Sequence, residues 1–184
     1  MAQIPNSNTL MALIAGAGLL AAAAFGANLL SSPAAVTQLD DRTLRSLTTD
    51  GTFKSVQGDG SHAIHVFLSA DCKFCLQIEP EFDQLNNVTV YRHLLPGHTK
   101  AGRLKAIDVW CSDNQVRAWK KIGEGLVIQP AKCSDVAAID GNLVLAKRLG
   151  LASTPSIVFE DGHVSSGMVS SSNIAARIAL STPR

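Results

Sequence analysis

The first charged side chain of this 184-residue chain is Asp40, so all 16 basic and 15 acidic residues lie from that point onward. Ahead of it, Leu10 to Ala27 reads LMALIAGAGLLAAAAFGA without a polar side chain, and only Asn28 interrupts before Leu29 and Leu30. At about 1.5 Å of rise per residue such a helix is roughly 27–31 Å long, enough to cross a bilayer core. It lacks the one-sided apolar stripe of a helix buried against a soluble core. Two export readings stay open, a cleaved signal peptide and an uncleaved transmembrane anchor. The n-region MAQIPNSNT has no Lys or Arg and the apolar run exceeds the usual signal core, which favours the anchor. Small-residue cleavage points nevertheless exist after Gly26 and Ala34. Residues 1–35 are therefore expected to form leader and linker, and residues 36–184 one domain outside the cytoplasm, where disulfides persist.

That domain is ordinary in composition. A formal net charge of +1 argues against nucleic-acid binding through phosphate neutralisation, and 46% apolar residues argue against disorder. Leu39, Leu44 and Leu47 between charged residues suggest a short amphipathic helix. Thr52–Gln57, His62–Ser69 and Val88–Leu95 read as strands bounded by turn residues. Cys72–Asn86 has helical spacing, with Pro80 expected to kink it. Residues 99–149 read as mostly helical, broken around Gly123–Pro130. Ser156–Glu160 and His163–Ser166 flank Asp161-Gly162 as a hairpin, and Ser172–Leu180 closes the chain as a helix. Strand, helix, strand, helical stretch, hairpin and helix imply an α/β fold: a small mixed sheet with helices on its faces.

The chemistry points to Cys72-Lys73-Phe74-Cys75, which follows a strand and opens a helix. Amide N–H groups and the macrodipole at a helix start favour a thiolate at Cys72. Lys73 adds to this, whereas Asp71 opposes it unless its carboxylate turns aside to cap that helix. Cys75, one turn inward, is placed to resolve a mixed disulfide formed by Cys72. The alternatives are an inert disulfide and half of a zinc site. Cys111 and Cys133 form no second close pair, and His62, His65, His93, His98 and His163 show no ligand spacing with either, so no metal and no cofactor is expected. Thr154-Pro155 precedes a strand; on residue statistics alone its peptide is trans.

These pieces resemble the thioredoxin fold, and more narrowly the catalytic domain of the DsbC/DsbG disulfide isomerases. The matching residues are the CxxC with Pro80 beyond it, Leu94-Leu95-Pro96, Lys105 to Cys111, Ala118-Trp119, Pro130 to Cys133, and Leu149-Gly150-Leu151 leading to Thr154-Pro155. The resemblance covers roughly residues 60–180. It implies a thioredoxin-like domain with a helical insertion over about 98–150, preceded here by the N-terminal hydrophobic helix. It implies Cys72 as attacking thiol, Cys75 as resolving thiol, Thr154 and a cis Pro155 as the substrate-binding edge, and a structural disulfide between Cys111 and Cys133. It further implies exported cysteine-containing proteins as substrates, a membrane thiol reductase of the DsbD type as electron donor, and a periplasmic site of action, anchored to the inner membrane through residues 10–30 or released after cleavage.

The chain departs from the family in three places. Residues 36–60 are too few for the usual N-terminal dimerisation domain, which leaves the redox site open to oxidation. Lys73-Phe74 is not a usual family dipeptide. The buried acid that thioredoxins place six residues before the first cysteine is here Val66, so Glu79 becomes a candidate proton acceptor for Cys75, against the plainer reading of a solvated helix residue. The leading expectation is a disulfide isomerase or reductase. Competing readings are a disulfide oxidase and a redox-inactive chaperone or binding module of an export or conjugation machine. Trp110 and Trp119 are expected in the core. The basic residues Lys100, Arg103, Lys105, Arg117, Lys120 and Lys121 are expected on a solvated face. His65 is expected to be buried or to line a face, and not to act as a base.

Overall fold

The computed structural model describes residues 37–131 and 133–181. The apolar segment 10–30, both candidate cleavage points and most of the linker lie outside the described residues. Asp40 caps α1 (Asp41–Arg45), accepting the amides of Arg42 and Thr43, and Leu44 is buried beneath it. The remaining elements are β1 (Phe53–Gln57), β2 (His62–Ser69), α2 (Lys73–Gln77), α3 (Glu79–Asp83), β3 (Val88–Leu95), α4 (Lys100–Trp110), α5 (Gln115–Gly123), α6 (Ala137–Arg148), β4 (Ser156–Phe159), β5 (Val164–Ser166) and α7 (Ser171–Leu180).

One five-stranded sheet runs in the order β1-β3-β2-β4-β5. β2 and β3 are parallel, with Ile64 opposite Val90 and Leu68 opposite Leu94, and the crossover between them is α2 plus α3. The other pairings are antiparallel. β2 and β3 occupy the middle of the sheet, which explains why both are buried along most of their length, polar Thr89, Arg92 and His93 of β3 included. Ile64, Val66, Leu68, Val90 and Leu94 point into a core shared with Ile78, Phe82, Trp119, Ile122, Ile174 and Ile178. Phe67, Leu95 and Val158 point the other way, into a smaller core with Leu39, Leu44, Leu145 and Leu149. Alternation along each strand thus packs two helical layers against one sheet.

The expected helix over Cys72–Asn86 is two short helices. Ile78 ends α2 and begins α3, and Pro80 sits in the first turn of α3. Proline has no N–H to donate to the Leu76 carbonyl four residues back. α5 approaches that same carbonyl: a Cβ added at Gly123 would lie 2.9 Å from the Leu76 oxygen. The stretch 99–149 is three helices, broken at 111–114 as well as at 124–136. The first of these breaks follows Trp110 and ends at Asn114, whose side chain caps α5 by accepting the Arg117 amide.

Candidate active site

β2 ends at Ser69, and the Cys72 amide donates to the Ser69 carbonyl across the turn that follows. Cys72 occupies the cap position of α2, where the Cys75 amide donates to Cys72 Sγ at 3.2 Å. Both cysteines are free thiols, Cys72 half-buried and Cys75 buried. Burial, and then the neighbouring Cys72 sulfur, push the Cys75 thiol well above the usual range for cysteine. The outer sulfur is therefore accessible and hydrogen-bonded by the helix start, while the inner sulfur keeps its proton.

Facing them is the loop into β4. The Thr154–Pro155 peptide is cis, and Cys72 Sγ–H donates to the Thr154 carbonyl at 3.3 Å. Pro155 is buried and Thr154 half-buried. The fold thus brings the end of β2, the start of α2 and the approach to β4 to one point, although Cys72 and Thr154 are 82 residues apart. A cavity of about 240 Å³ opens beside this contact, bounded by Ser69, His98, Lys147 and Thr154 among others.

Asp71 turns aside from Cys72. Its carboxylate accepts the Ser69 hydroxyl at 2.5 Å and the amides of His98 and Thr99 at 2.7 and 3.0 Å. Partial burial pushes this carboxyl up, but the three hydrogen bonds outweigh it and bring it down to about 2. It caps the approach to α4, not α2.

Residues 49–180 match the family model described as a thioredoxin-like domain. The chain belongs to the thioredoxin-like family. It is 30% identical over 142 residues to a probable thiol:disulfide interchange protein DsbC of Bordetella pertussis, covering 77% of this chain and 50% of that protein. A DsbC of the same description from Bordetella parapertussis is 31% identical over 133 residues, covering 72% of this chain and 47% of that one. The chain thus spans about half the length of these curated relatives. Among solved structures, a disulfide interchange protein from Neisseria gonorrhoeae superposes with a TM-score of 0.65 at 27% identity, covering 73% of this chain and 97% of that one. The mixed sheet flanked by helices and the resemblance to DsbC-type proteins agree with the sequence reading.

One position in this thioredoxin-like domain differs from expectation. Glu79 is not a solvated helix residue; it is 3% exposed, and both its carboxylate oxygens are held by Arg92, from Nε at 2.9 Å and Nη2 at 2.8 Å. The break at Ile78 turns α3 so that Glu79 faces the sheet. Arg92 Nη1 also donates to Ser55 Oγ and the Val90 carbonyl, and its guanidinium lies between the Phe53 and Phe82 rings. With both oxygens engaged by Arg92, Glu79 is a partner of β3 rather than of Cys75. The basic residues lie at the surface as expected, where Lys120 pairs with Asp83 of α3 and Arg103 with Asp140 of α6. Sequence reasoning missed these because each partner lies on another element.

In the helical region between β3 and β4, Cys111 and Cys133 are disulfide-bonded, with Cα atoms 5.4 Å apart. The bridge ties the end of α4 to the irregular segment before α6. Trp119 is fully buried, whereas Trp110 is half-buried and donates its indole N–H to the Asp135 carbonyl at 2.8 Å. His65 lies on β2 against Tyr91, and its Nδ1 meets His93 Nε2 at 2.9 Å. Asn87, just before β3, adopts a left-handed turn, φ 56°, and accepts the Asp59 amide. No group of three or more metal-ligating side chains occurs among the described residues.

Proposed function

We propose that the chain is a thiol–disulfide oxidoreductase acting through Cys72 and Cys75 on exported proteins, as an isomerase or reductase in direction. The observation that carries this is the pairing of a half-buried Cys72, bonded to the Cys75 amide and the Thr154 carbonyl, with a buried, protonated Cys75. The names of the DsbC relatives support the same reading.

The Cys72 thiolate attacks one sulfur of a client disulfide. The S–S bond breaks, the other client sulfur leaves as a thiolate and takes up a proton, and a mixed disulfide forms. From there the paths divide. In reduction, Cys75 loses its proton, attacks Cys72 Sγ and releases the second client thiol. Two electrons and two protons have then passed to the client, and Cys72–Cys75 is a disulfide that a membrane dithiol reductase of the DsbD type must reduce. In isomerisation, another client thiolate attacks the mixed disulfide and Cys72 is regenerated without net transfer. Thr154 and the edge beside Pro155 hold the client segment in extended form, with the cavity beside Thr154 giving room for a client side chain. Cys111–Cys133 serves structure. Residues 1–35 hold the domain, residues 36–184, at the periplasmic face of the inner membrane as an anchor, or are removed after export.

Insulin reduction and refolding of scrambled ribonuclease test this. Cys72→Ser abolishes both; Cys75→Ser abolishes reduction and accumulates mixed disulfides. In cells the pair is found mostly as the dithiol. Full activity in either serine variant would refute the mechanism, a mostly oxidised pair would make the protein a disulfide donor, and client protection surviving both substitutions would make it a binding module.

A further inference from the structure

The residue before the attacking cysteine is a carboxylate, and its contacts are more elaborate than a surface turn requires. Asp71 Oδ1 accepts the Ser69 hydroxyl, while Oδ2 accepts both the His98 and Thr99 amides. The last two belong to the loop that leads into α4, and Thr99 is itself the cap of α4, accepting the Gly102 amide at 2.9 Å. Two glycines make room for the carboxylate. A Cβ at Gly102 would lie 2.6 Å from Asp71 Oδ2, and a Cβ at Gly97 would lie 2.9 Å from it. Gly97 needs glycine for its φ of +78° in any case, but Gly102 is an ordinary helical residue of α4. Its lack of a side chain is explained by the carboxylate packed against it.

The charge is as notable as the clamp. Asp71 adjoins Cys72, and its hydrogen bonds keep it ionised throughout the physiological range. An adjacent anion disfavours a Cys72 thiolate, in opposition to the Cys75 amide, the start of α2 and the exposed Lys73. Whatever disfavours the reduced, anionic form of the pair favours its release of electrons. No function assigned to the site so far uses this residue.

We infer that Asp71 is a positioning residue of the redox site, which clamps the start of α4 to the turn presenting Cys72 and whose charge makes the Cys72–Cys75 pair a stronger reductant. The inference rests on the redox reading of the pair but not on any particular client.

The contacts themselves supply a variant that separates charge from clamp. In Asp71→Asn, the amide oxygen can replace Oδ2 and accept both amides, while its NH₂ donates to Ser69 Oγ, the hydroxyl having turned. All three hydrogen bonds survive and only the charge is lost. Equilibrating the full chain with a glutathione buffer reads the dithiol-to-disulfide ratio and needs no client. Asp71→Asn shifts that ratio toward the dithiol about three- to tenfold, tenfold being about 30 mV for a two-electron couple, while the melting temperature falls because hydrogen bonds to a neutral amide are weaker than those to a carboxylate. The shift shrinks in about 1 M salt, where exposed charges are screened. Gly102→Ala keeps the charge and crowds the carboxylate; it lowers the melting temperature and slows insulin reduction about threefold or more. A wild-type ratio in Asp71→Asn overturns the charge role, since a purely structural residue would leave the ratio unmoved. Wild-type melting and insulin reduction in Gly102→Ala overturn the clamp. If the wild-type chain equilibrates with glutathione but acts on no client, the proposed function fails while this inference stands or falls on the ratio alone.

Discussion

At the scale of single residues, the most consequential interaction away from the thiols is the buried pair of Glu79 and Arg92. A charge removed from water is costly unless its partners are complete. Here they are: Arg92 reaches both Glu79 oxygens, Ser55 and the Val90 carbonyl. Removing one member leaves the other charged and unpaired in the core. Arg92→Ala or Glu79→Ala is therefore expected to cost about 3–5 kcal/mol in urea unfolding. Replacing both with leucine is expected to cost much less than the sum of the single changes. A double variant as unstable as the sum would show that the two residues act separately. Sequence could not reveal the pair, because the residues are 13 positions apart on different elements and an acid in a short polar helix reads as solvated. Asp71 shows the reverse: its closeness to Cys72 was visible, but the amides 27 and 28 residues away that claim its carboxylate were not.

At the scale of elements, the break between α2 and α3 determines how α5 packs. Pro80 leaves the Leu76 carbonyl without its usual donor, and Gly123 lets α5 come close to it. Gly123→Ala would improve helix propensity on its own by about 1 kcal/mol, yet its Cβ would meet backbone rather than a movable side chain. Net destabilisation of roughly 1–3 kcal/mol is expected by denaturant titration; a gain in stability would mean that α5 can shift without cost. The Cys111–Cys133 bridge is the other restraint on this region. Closing a loop of about 23 residues is worth about 3 kcal/mol in the chain-entropy model. Cys111→Ser with Cys133→Ser should lower stability by that order while leaving the Cys72–Cys75 pair able to react with a thiol reagent. Loss of both would place the bridge within the redox machinery. The central strands were legible because β-branched and aromatic residues lie there between turn signals, and β2 and β3 have the expected limits. The number of helices between β3 and β4 was not, because the break near Cys111 contains neither Gly nor Pro; Asn114 makes it by capping.

At the scale of the whole molecule, the two helical layers are joined to the sheet unequally. The larger core holds the Glu79–Arg92 pair, whereas the smaller one is crossed by a polar chain. His65 meets His93, His93 Nδ1 meets Asn142 Oδ1 at 3.1 Å, and Asn142 Nδ2 donates to the Gly51 and Leu94 carbonyls. His93 is also stacked on Phe67 at 4.3 Å between centroids. This chain binds α6 to the sheet, and it does so with uncharged imidazoles. Burial, reinforced by His93, brings His65 down to about 3; burial brings His93 down to about 4, despite the opposing hydrogen bond that its Nδ1 donates to Asn142 Oδ1. In the unfolded chain both titrate near 6.5. Between those limits the unfolded state binds more protons than the native one, so stability is fully present above about pH 6.5 and falls with acid. By pH 4 the loss is roughly 3 kcal/mol per histidine, and it flattens once the native histidines are themselves protonated. Asp71 adds a further decline below about pH 3.8, toward its folded value of about 2. Urea unfolding at intervals from pH 7 to pH 4 should trace this slope, and His65→Gln should make it shallower, since it removes one of the two titrating groups. Equal slopes in the two proteins would place the acid sensitivity elsewhere and leave the α6 layer held by its leucines alone.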